Sequence, residues 1–222
     1  MTITPNPKVD SYKKKPKFIV FEGIDGCGKS TLIKEVGLKQ RELFLRKVQI
    51  LHEPGFTPLG GQLRNILLNT PKSISLSSEI TQLLMEASRL SILDYMISEW
   101  EKDPNILFLG DRHRDSTLAY QTAQGGDIYD LLNIQTILYK NKPKPDLIFY
   151  LDTPIDIAQS RLREKQISEG FDEQGEEFFK KVKEVYESII NANREHYYVV
   201  DASQPFFQVL NTTINIINFL YA

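Results

Sequence analysis

The sequence predicts an α/β protein whose mostly parallel sheet is covered by helices on both faces. Short, continuous apolar runs alternate along the chain with longer segments in which apolar residues recur every three to four positions. Continuous apolar runs are typical of strands buried on both faces, and the longer spacing is typical of amphipathic helices. The length of 222 residues and a hydrophobic fraction of 41% are sufficient for one domain with a substantial core.

The first part of the chain is predicted to contain two strands and three helices. An apolar strand at about 17–22 leads through a glycine-rich segment into a helix at 29–45. A short strand at 48–51 ends at a Glu-Pro-Gly turn, and a helix at 59–69 follows. Paired serines, which favour the start of a helix, then introduce a long helix over residues 77–100.

The remainder of the chain repeats this alternation. Pro143 and Pro145 mark a loop before one of its strands. Its predicted strands are 106–109, 147–151 and 197–200. Its predicted helices are 115–122, 127–140, 154–166, 174–194 and 204–220. Because there is no internal repeat, we expect residues 17–222 to form a single domain, preceded by a flexible tail over residues 1–16.

The composition argues against several classes of function. A formal net charge of −2 gives the chain no general attraction to nucleic acid or to anionic membranes. No apolar run approaches the ~20 residues that cross a bilayer, and no signal peptide is visible. The single cysteine, Cys27, excludes an internal disulfide. We therefore expect a cytoplasmic protein that binds neither nucleic acid nor membrane.

A phosphate-binding loop lies between the first strand and the first helix. Gly23, Gly28, Lys29 and Ser30 have the spacing of this motif. Its glycines let backbone N–H groups converge on a phosphate, the helix adds its positive end, and the lysine adds a full charge. We expect Lys29 to reach the β- and γ-phosphates of a nucleoside triphosphate and Ser30 to bind Mg²⁺. The predicted nucleotide-binding residues are Gly23, Ile24, Asp25, Gly26, Cys27, Gly28, Lys29, Ser30 and Thr31.

Polar residues also follow the next strands. Glu53 follows the second strand, Asp111 and Arg112 follow the third, and Asp152 follows the fourth. Because ligands of open parallel sheets bind beyond the carboxyl ends of the strands, we expect these residues to converge with the loop. A phosphate loop alone would suit an ATPase, a GTPase, a transporter motor or a small-molecule kinase. The chain lacks an Asn-Lys-x-Asp guanine motif, which argues against a GTPase.

Four segments, in this order, resemble the thymidylate kinase family. They are FEGIDGCGKST at 21–31, EPGFTP at 53–58, DRHRDSTLAYQ at 111–121 and PDLIFYLD at 145–152. The resemblance implies a P-loop kinase fold, which is a three-layer sandwich around a five-stranded parallel sheet, with a short lid at about 161–174. It also implies Mg²⁺-dependent transfer of the γ-phosphoryl group of ATP to dTMP, giving dTDP, by a homodimer packed through helices.

The same resemblance implies roles for individual residues. Arginines of the lid neutralise the transferred phosphoryl group in members that, like this chain, have no arginine in the phosphate loop. The implied catalytic residues are Lys29, Asp25, Asp111, Arg161 and Arg163. The implied metal ligands are Ser30, Asp111 and Glu53, with a turn role left open for Glu53. The implied dTMP-binding residues are Arg64 and Arg112 at the phosphate, Tyr120 beside the sugar, and Met85, Arg89, Thr117 and Gln121 around the base.

The chain departs from the family pattern in three places. Met85 stands where the family usually has a phenylalanine that stacks on thymine, and its polarizable sulfur can still cover the ring. His52 and Phe56 replace an arginine and a glycine of the usual turn. Asp172 and Glu173 stand where the lid usually has Asp-Arg, so the lid is poor in arginine.

Two other functions remain open at this point. A deoxynucleoside kinase would share the loop and the strand-end arginines, but it needs a carboxylate base for the sugar hydroxyl, and Glu22 is available for that role. A nucleotide-binding descendant without activity is consistent with the altered lid and turn. Arg64 and the Glu-Pro-Gly turn favour a phosphorylated acceptor, and the intact Lys29 and Asp111 favour catalysis.

Overall fold

Five strands and eight helices organise the residues that the structure, a computed structural model, describes: 17–71, 73–165 and 175–221. The strands are β1 (Phe18–Glu22), β2 (Val48–His52), β3 (Leu107–Asp111), β4 (Leu147–Asp152) and β5 (Tyr197–Asp201). The helices are α1 (Lys29–Phe44), α2 (Pro58–Asn69), α3 (Ser78–Lys102), α4 (Arg114–Ala123), α5 (Ile128–Leu138), α6 (Ile155–Lys165), α7 (Glu176–Ala192) and α8 (Phe206–Tyr221). None of these described helices is long and apolar enough to cross a membrane. The predicted tail and residues 166–174 of the predicted lid lie outside the described residues.

The sheet is parallel throughout, with the strand order β2-β3-β1-β4-β5. Val20 of the central strand β1 pairs with Gly110 of β3 on one side and with Ile148 of β4 on the other. The loop after β1 therefore leaves the middle of the carboxyl edge, between the ends of its two neighbours. This arrangement confirms the predicted five-stranded parallel sheet.

Helices cover both faces of the sheet, as predicted. The ring of Phe108 in β3 contacts Trp100 of α3, with ring centroids 5.2 Å apart. The next residue, Leu109, has its Cδ1 atom 3.5 Å from where a Cβ on Gly37 of α1 would stand. Because successive strand side chains point to opposite faces, α3 and α1 lie on opposite sides. Helix α8 packs beside α1, whereas α4 and α7 form a continuous layer with α3.

Four of the five described strands, β2 to β5, extend further at their carboxyl ends than predicted, and every described strand ends on a polar residue. These terminal residues are Glu22, His52, Asp111, Asp152 and Asp201. The prediction ended the third strand at Leu109 because glycine and aspartate are poor strand formers. Gly110 nevertheless pairs with Val20 and with Leu51, since a parallel ladder uses backbone groups alone. The polar residues are therefore held by the sheet itself rather than by loops.

Helices α2 and α3 begin at side-chain caps. Thr57 accepts a hydrogen bond from the backbone N–H of Gly60 (3.0 Å), and Pro58 occupies the first helical position of α2. Ser77 accepts from the N–H of Ile80 (3.3 Å), which confirms the predicted serine start of α3. These caps fix where α2 and α3 present their side chains to the end of β2.

Candidate active site

A cleft of about 770 Å³ opens at the carboxyl edge of the sheet. The loop after β1 lines it together with Glu53 after β2 and Asp111 and Arg112 at the end of β3. The predicted convergence of strand-end residues is confirmed for these groups. Asp152 does not join them, because its Oδ1 atom accepts a hydrogen bond from Nζ of Lys183 in α7 (2.8 Å).

Glycine determines the shape of the loop after β1. Gly28 is the N-cap of α1 with φ at 98°, and no side chain caps this helix. An anion is the natural partner of the N–H groups at such an uncapped N-terminus. At Gly26 (φ 81°), a Cβ would stand 2.1 Å from the carbonyl oxygen of Ala158 in α6. Helix α6 therefore packs directly on the loop, and a side chain at position 26 requires that helix to move.

Lys29 lies along the inside of the loop. Its Nζ atom donates to the carbonyl oxygens of Gly23 (2.9 Å) and Ile24 (3.0 Å), and it lies 3.5 Å from Sγ of Cys27. The residue is 6% exposed, yet it lines the cleft. The ammonium group is thus held at the floor of the cleft, where a phosphate bound by the loop would meet it.

Ser30 and Asp111 provide neighbouring oxygen ligands. The hydroxyl of Ser30 donates to Oδ2 of Asp111 (2.6 Å), and both residues line the cleft. Two such oxygens suit Mg²⁺, which keeps several waters and is usually held by few protein ligands. Glu53 is differently placed, because one of its oxygens accepts from Arg89 (2.5 Å) and the other lies 3.3 Å from Nδ1 of His113. No cluster of three or more metal-ligating His, Cys, Asp or Glu residues occurs within the described part of the chain.

Asp25, Arg112 and Tyr120 form a hydrogen-bonded group beside the loop. Asp25 accepts from the guanidinium of Arg112 and from the hydroxyl of Tyr120 (2.8 Å). Burial alone would raise the pKa of Asp25, but the charges of Arg112 and Lys29 outweigh it and lower that pKa. Arg112 has φ at 73°, a conformation that non-glycine residues rarely adopt and that is often retained at functional sites.

A second, smaller pocket continues from the cleft. It shares Asp25, Glu53, Arg64 and Arg112 with the cleft, so the two cavities meet at a pair of arginines. Its inner wall is formed by Leu67 and Leu68 of α2, Met85 of α3, and Ser116, Tyr120 and Gln121 of α4. Positive charge at the junction and an apolar interior suit a molecule with an anionic end and a flat, weakly polar end.

Gln121 presents an unpaired acceptor to this pocket. The residue is fully buried, and its Nε2 donates to Oε1 of Gln124 (3.1 Å). Its own Oε1 atom has no hydrogen-bond partner among the described residues. A buried acceptor without a partner is unfavourable unless a ligand supplies the donor.

Arg89 lies behind the pocket with all its donors engaged. Its Nε donates to Glu53 (2.5 Å), and NH1 donates to Glu86 (2.7 Å) and to the hydroxyl of Tyr139 (3.3 Å). Its NH2 donates to the carbonyl of His113 (3.1 Å) and to the hydroxyl of Thr117 (2.7 Å). A guanidinium has five N–H donors, so each has a protein acceptor. Arg89 and Thr117 do not line the pocket, so a contact with a base, as the resemblance implies, stays a prediction.

The two predicted lid arginines are placed differently. Arg161 lines the cleft, and its guanidinium donates to the carbonyls of Cys27 (3.4 Å) and Ala202 (3.1 Å). It therefore connects α6 to the loop and to the segment after β5. Arg163 is exposed and does not line the cleft. Its catalytic role stays a prediction.

Glu22, the base that a deoxynucleoside kinase would need, is fully buried and lines neither cavity. Its oxygens accept from the N–H of His113 (2.8 Å) and from the hydroxyls of Ser116 (2.5 Å) and Tyr186 (2.9 Å). Burial and the neighbouring charge of Asp115 raise its pKa to about 7. This carboxylate is part of the support beneath the loop.

The buried acid Glu86 and its partners, Gln135 of α5 and Tyr139 directly after α5, were not predicted from the sequence. The spacing of three residues between Glu86 and Arg89 signals that both lie on one side of α3. No local signal indicates that this side is buried or that α5, some 50 residues later, packs against it.

A parallel sheet with an uncapped glycine-rich loop, a buried loop lysine and a strand-end aspartate defines a P-loop nucleotide-binding protein. The family described as "Thymidylate kinase" matches residues 21–214. This chain therefore belongs to the thymidylate kinase family.

Named relatives resemble the chain over most of its length. The thymidylate kinase of Acinetobacter baylyi (strain ATCC 33305 / BD413 / ADP1) is 35% identical over 187 residues, covering 84% of this chain and 91% of the relative. That of Acinetobacter baumannii (strain ACICU) is 33% identical over 197 residues, covering 89% and 98%. That of Neisseria meningitidis serogroup B (strain ATCC BAA-335 / MC58) is 33% identical over 201 residues, covering 89% and 94%. The similarity thus extends through both cavities.

Proposed function

We propose that this chain transfers the γ-phosphoryl group of ATP to dTMP and releases ADP and dTDP. The observation that carries the proposal is the junction of the two cavities at Asp25, Arg64 and Arg112. A triphosphate bound by the loop and a monophosphate bound by the two arginines would meet there. Phosphoryl transfer depends mainly on such positioning and on neutralisation of charge.

The donor nucleotide is expected to occupy the larger cleft. Its phosphates would be bound by the loop and by Lys29, and its base would lie at the end lined by Ala202, Phe206 and Val209. When bound, Mg²⁺ would neutralise phosphate charge, with Ser30 and Asp111 as its protein ligands. Arg161 supports this arrangement because it holds α6 against the loop.

The acceptor is expected to be dTMP because of the chemistry around Gln121. The unpaired Oε1 of Gln121 suits a donor, and the N3–H of thymine is a donor, whereas N3 of cytosine is an acceptor. Met85 and the leucines of α2 would cover the faces of the ring. Tyr120 would lie beside the sugar, where its hydroxyl is already held by Asp25. A site built for a donor penalises a base that leaves the acceptor unpaired.

A panel of acceptors tests the proposal. ADP formation from ATP and Mg²⁺ would be measured with dTMP, dUMP, dCMP, dGMP and thymidine. We expect the highest turnover with dTMP and little or none with thymidine, since Glu22 is sealed off by its partners. Equal turnover with thymidine would instead identify a deoxynucleoside kinase. Tight ATP binding with no acceptor-dependent ADP would identify a nucleotide-binding descendant without activity.

We also propose a homodimer that packs through α2 and α3. Leu59 and Ile66 of α2 are 52% and 46% exposed, and Leu83 and Ile97 of α3 are 56% and 36% exposed. Spacings of seven or fourteen residues place each pair on one side of its helix. Light scattering should give twice the mass of the chain, and Leu83→Glu should give the monomer. A cytoplasmic location, also proposed, suits the reduced thiol of Cys27.

A further inference from the structure

Glu86 is a buried carboxylate to which the proposed reaction gives no role. Its side chain is 1% exposed, and both oxygens accept hydrogen bonds. One oxygen accepts from Arg89 (2.7 Å) and from the hydroxyl of Tyr139, and the other accepts from Nε2 of Gln135 (2.9 Å). Because Gln135 also donates to the carbonyl of Arg114 (2.9 Å), this carboxylate joins α3, α5 and the start of α4. A buried charge with this many partners holds its neighbours in one arrangement.

The position of Arg89 depends on Glu86. Two carboxylates hold its guanidinium: Glu53 accepts from Nε, and Glu86 accepts from NH1. Burial alone would lower the pKa of Arg89, but these two charges raise it, so the arginine stays ionised. Without the charge of Glu86, the NH1 donors would keep only the hydroxyl of Tyr139, and the guanidinium would be free to turn towards Glu53.

Through Arg89, this network holds one group that lines the pocket and one that lies behind it. Arg89 fixes the carboxylate of Glu53, which lines both cavities, and the hydroxyl of Thr117, one helical turn before Gln121 on α4. Glu53 and Glu86 also neutralise Arg89, so the interior of the pocket has no net positive charge from this arginine. The guanidinium groups that line the pocket and can bind the phosphate of an acceptor are then those of Arg64 and Arg112 at the junction, beside the carboxylates of Asp25 and Glu53.

We propose that Glu86 is a positioning residue for the acceptor base. Through Arg89 it holds Glu53 where the two cavities meet and Thr117 behind the pocket, one turn before Gln121, and it thereby sets the discrimination between thymine and other bases. The inference rests on the proposed phosphorylation of dTMP, and it adds to that proposal a specificity determinant that touches no substrate atom.

A second buried acid–tyrosine pair provides the matched control. Asp115 is 2% exposed and accepts from the hydroxyl of Tyr197 (2.6 Å), much as Glu86 accepts from Tyr139. The pair Asp115–Tyr197 makes no contact with Arg89 and does not line the pocket. A substitution in either acid–tyrosine pair alters a buried hydrogen bond to a carboxylate. Only the carboxylate of Glu86, however, also accepts a hydrogen bond from Arg89.

The test compares steady-state kinetics of Tyr139→Phe, Tyr197→Phe, Glu86→Gln and Asp115→Asn with dTMP, dUMP and dCMP. We expect Glu86→Gln to raise KM for dTMP about tenfold and to lower the dTMP-to-dCMP ratio of kcat/KM about tenfold, with kcat and KM for ATP within about twofold. Tyr139→Phe should raise KM for dTMP and lower the dTMP-to-dCMP ratio of kcat/KM, each by about threefold. The two control variants should lower the melting temperature without a change in that ratio.

Unchanged selectivity in both Glu86→Gln and Tyr139→Phe would overturn the inference while the proposed function stands. Tyr139→Phe keeps all three charges of the network, on Arg89, Glu53 and Glu86, so it decides the matter if Glu86→Gln does not fold. A loss of selectivity in the control variants as large as in the Glu86 variants would also overturn it, since a general loosening of the fold would then be the cause. Failure of the unaltered protein to form ADP with dTMP would overturn the proposed function itself.

Discussion

The donor and acceptor ends of the cleft are built in opposite ways. The phosphate-binding part of the donor end is made by one contiguous segment, residues 23–30, in which backbone groups and a single lysine form the binding surface. The acceptor end is assembled from α2, α3, α4 and the end of β2, and side chains form its surface. Behind it, three buried charges on Arg89, Glu53 and Glu86 depend on one another.

Because of this difference, we expect substitutions at the donor end to affect mainly the activity, and substitutions at the acceptor end to affect the stability as well. Removal of the lysine at the donor end leaves no buried charge without a partner, so it should affect the reaction more than the stability. A charge of the acceptor network supports other charges, so its removal should also destabilise the fold. The following predictions test that separation, from the largest expected effect to the smallest.

Lys29→Ala should lower turnover by about 10³-fold or more, because the ammonium that neutralises the transferred phosphate is lost. The loss of stability should stay within about 1–3 kcal/mol, because the buried carbonyls of Gly23 and Ile24 lose a donor but no buried charge is left without a partner. ADP formation and thermal unfolding would be measured side by side. Lys39→Ala, an exposed lysine of the same helix that pairs with Glu42, is the control and should be fully active. Near-normal turnover in Lys29→Ala would contradict the role given to the loop.

Arg89→Met should lower the free energy of unfolding by about 3–5 kcal/mol, because Glu53 and Glu86 are left buried without their partner. Urea denaturation at neutral pH measures this loss. The informative quantity is the difference between the free energies of unfolding that Arg89→Met and Lys29→Ala lose. If Arg89→Met unfolds at the same urea concentration as the unaltered protein, the acceptor end has no more structural role than the donor end.

Gly26→Ala should lower the free energy of unfolding by about 1–3 kcal/mol and raise KM for ATP, because the added Cβ displaces α6 from the loop. Gly125 provides the control, since it also has positive φ (100°) but open space around its Cβ position. The difference between Gly26→Ala and Gly125→Ala isolates the contact with α6 from the backbone strain. Equal losses in the two variants would refute a tight contact between the loop and α6.

Glu22→Gln should change how stability depends on pH. The pKa of Glu22 is raised by burial to about 7, so the folded state binds more protons than the unfolded state between the two pKa values. The contribution of this carboxyl is therefore fully present below its unfolded pKa and is lost as the pH rises towards 7, at most about 1.4 kcal/mol per pH unit. Denaturation of Glu22→Gln should show a smaller loss over this interval. If the stability of Glu22→Gln depends on pH in the same way as that of the unaltered protein, a group other than Glu22 is responsible for the loss.

The phosphate-binding loop of the donor end could be predicted almost completely from the sequence. Its residues are consecutive, and their spacing determines a strand, a glycine loop and a helix start. The pairing of Ser30 with Asp111 also follows from the sequence, because both stand at the carboxyl edge of a parallel sheet. The same rule misplaces Asp152, since a lysine of α7 competes for it.

The acceptor end could be predicted only as a set of residues. Sequence patterns indicate that Arg89 and Glu53 are near the site, but they do not indicate how many acceptors surround the guanidinium or that Glu53 faces it. Such contacts arise when distant helices pack, and no local spacing records them. The close approach of Ala158 to Gly26 is likewise a property of tertiary packing.

The most direct test of the two-ended cleft is a crossed binding experiment with Lys29→Ala and Gln121→Leu. Calorimetric titration would measure the affinities of both variants for ATP and for dTMP. The account predicts that Lys29→Ala loses affinity for ATP and binds dTMP within about twofold of the unaltered protein. Gln121→Leu should show the reverse, with about tenfold weaker dTMP binding. A loss of both ligands in either folded variant, or undiminished dTMP binding by Gln121→Leu, would contradict it.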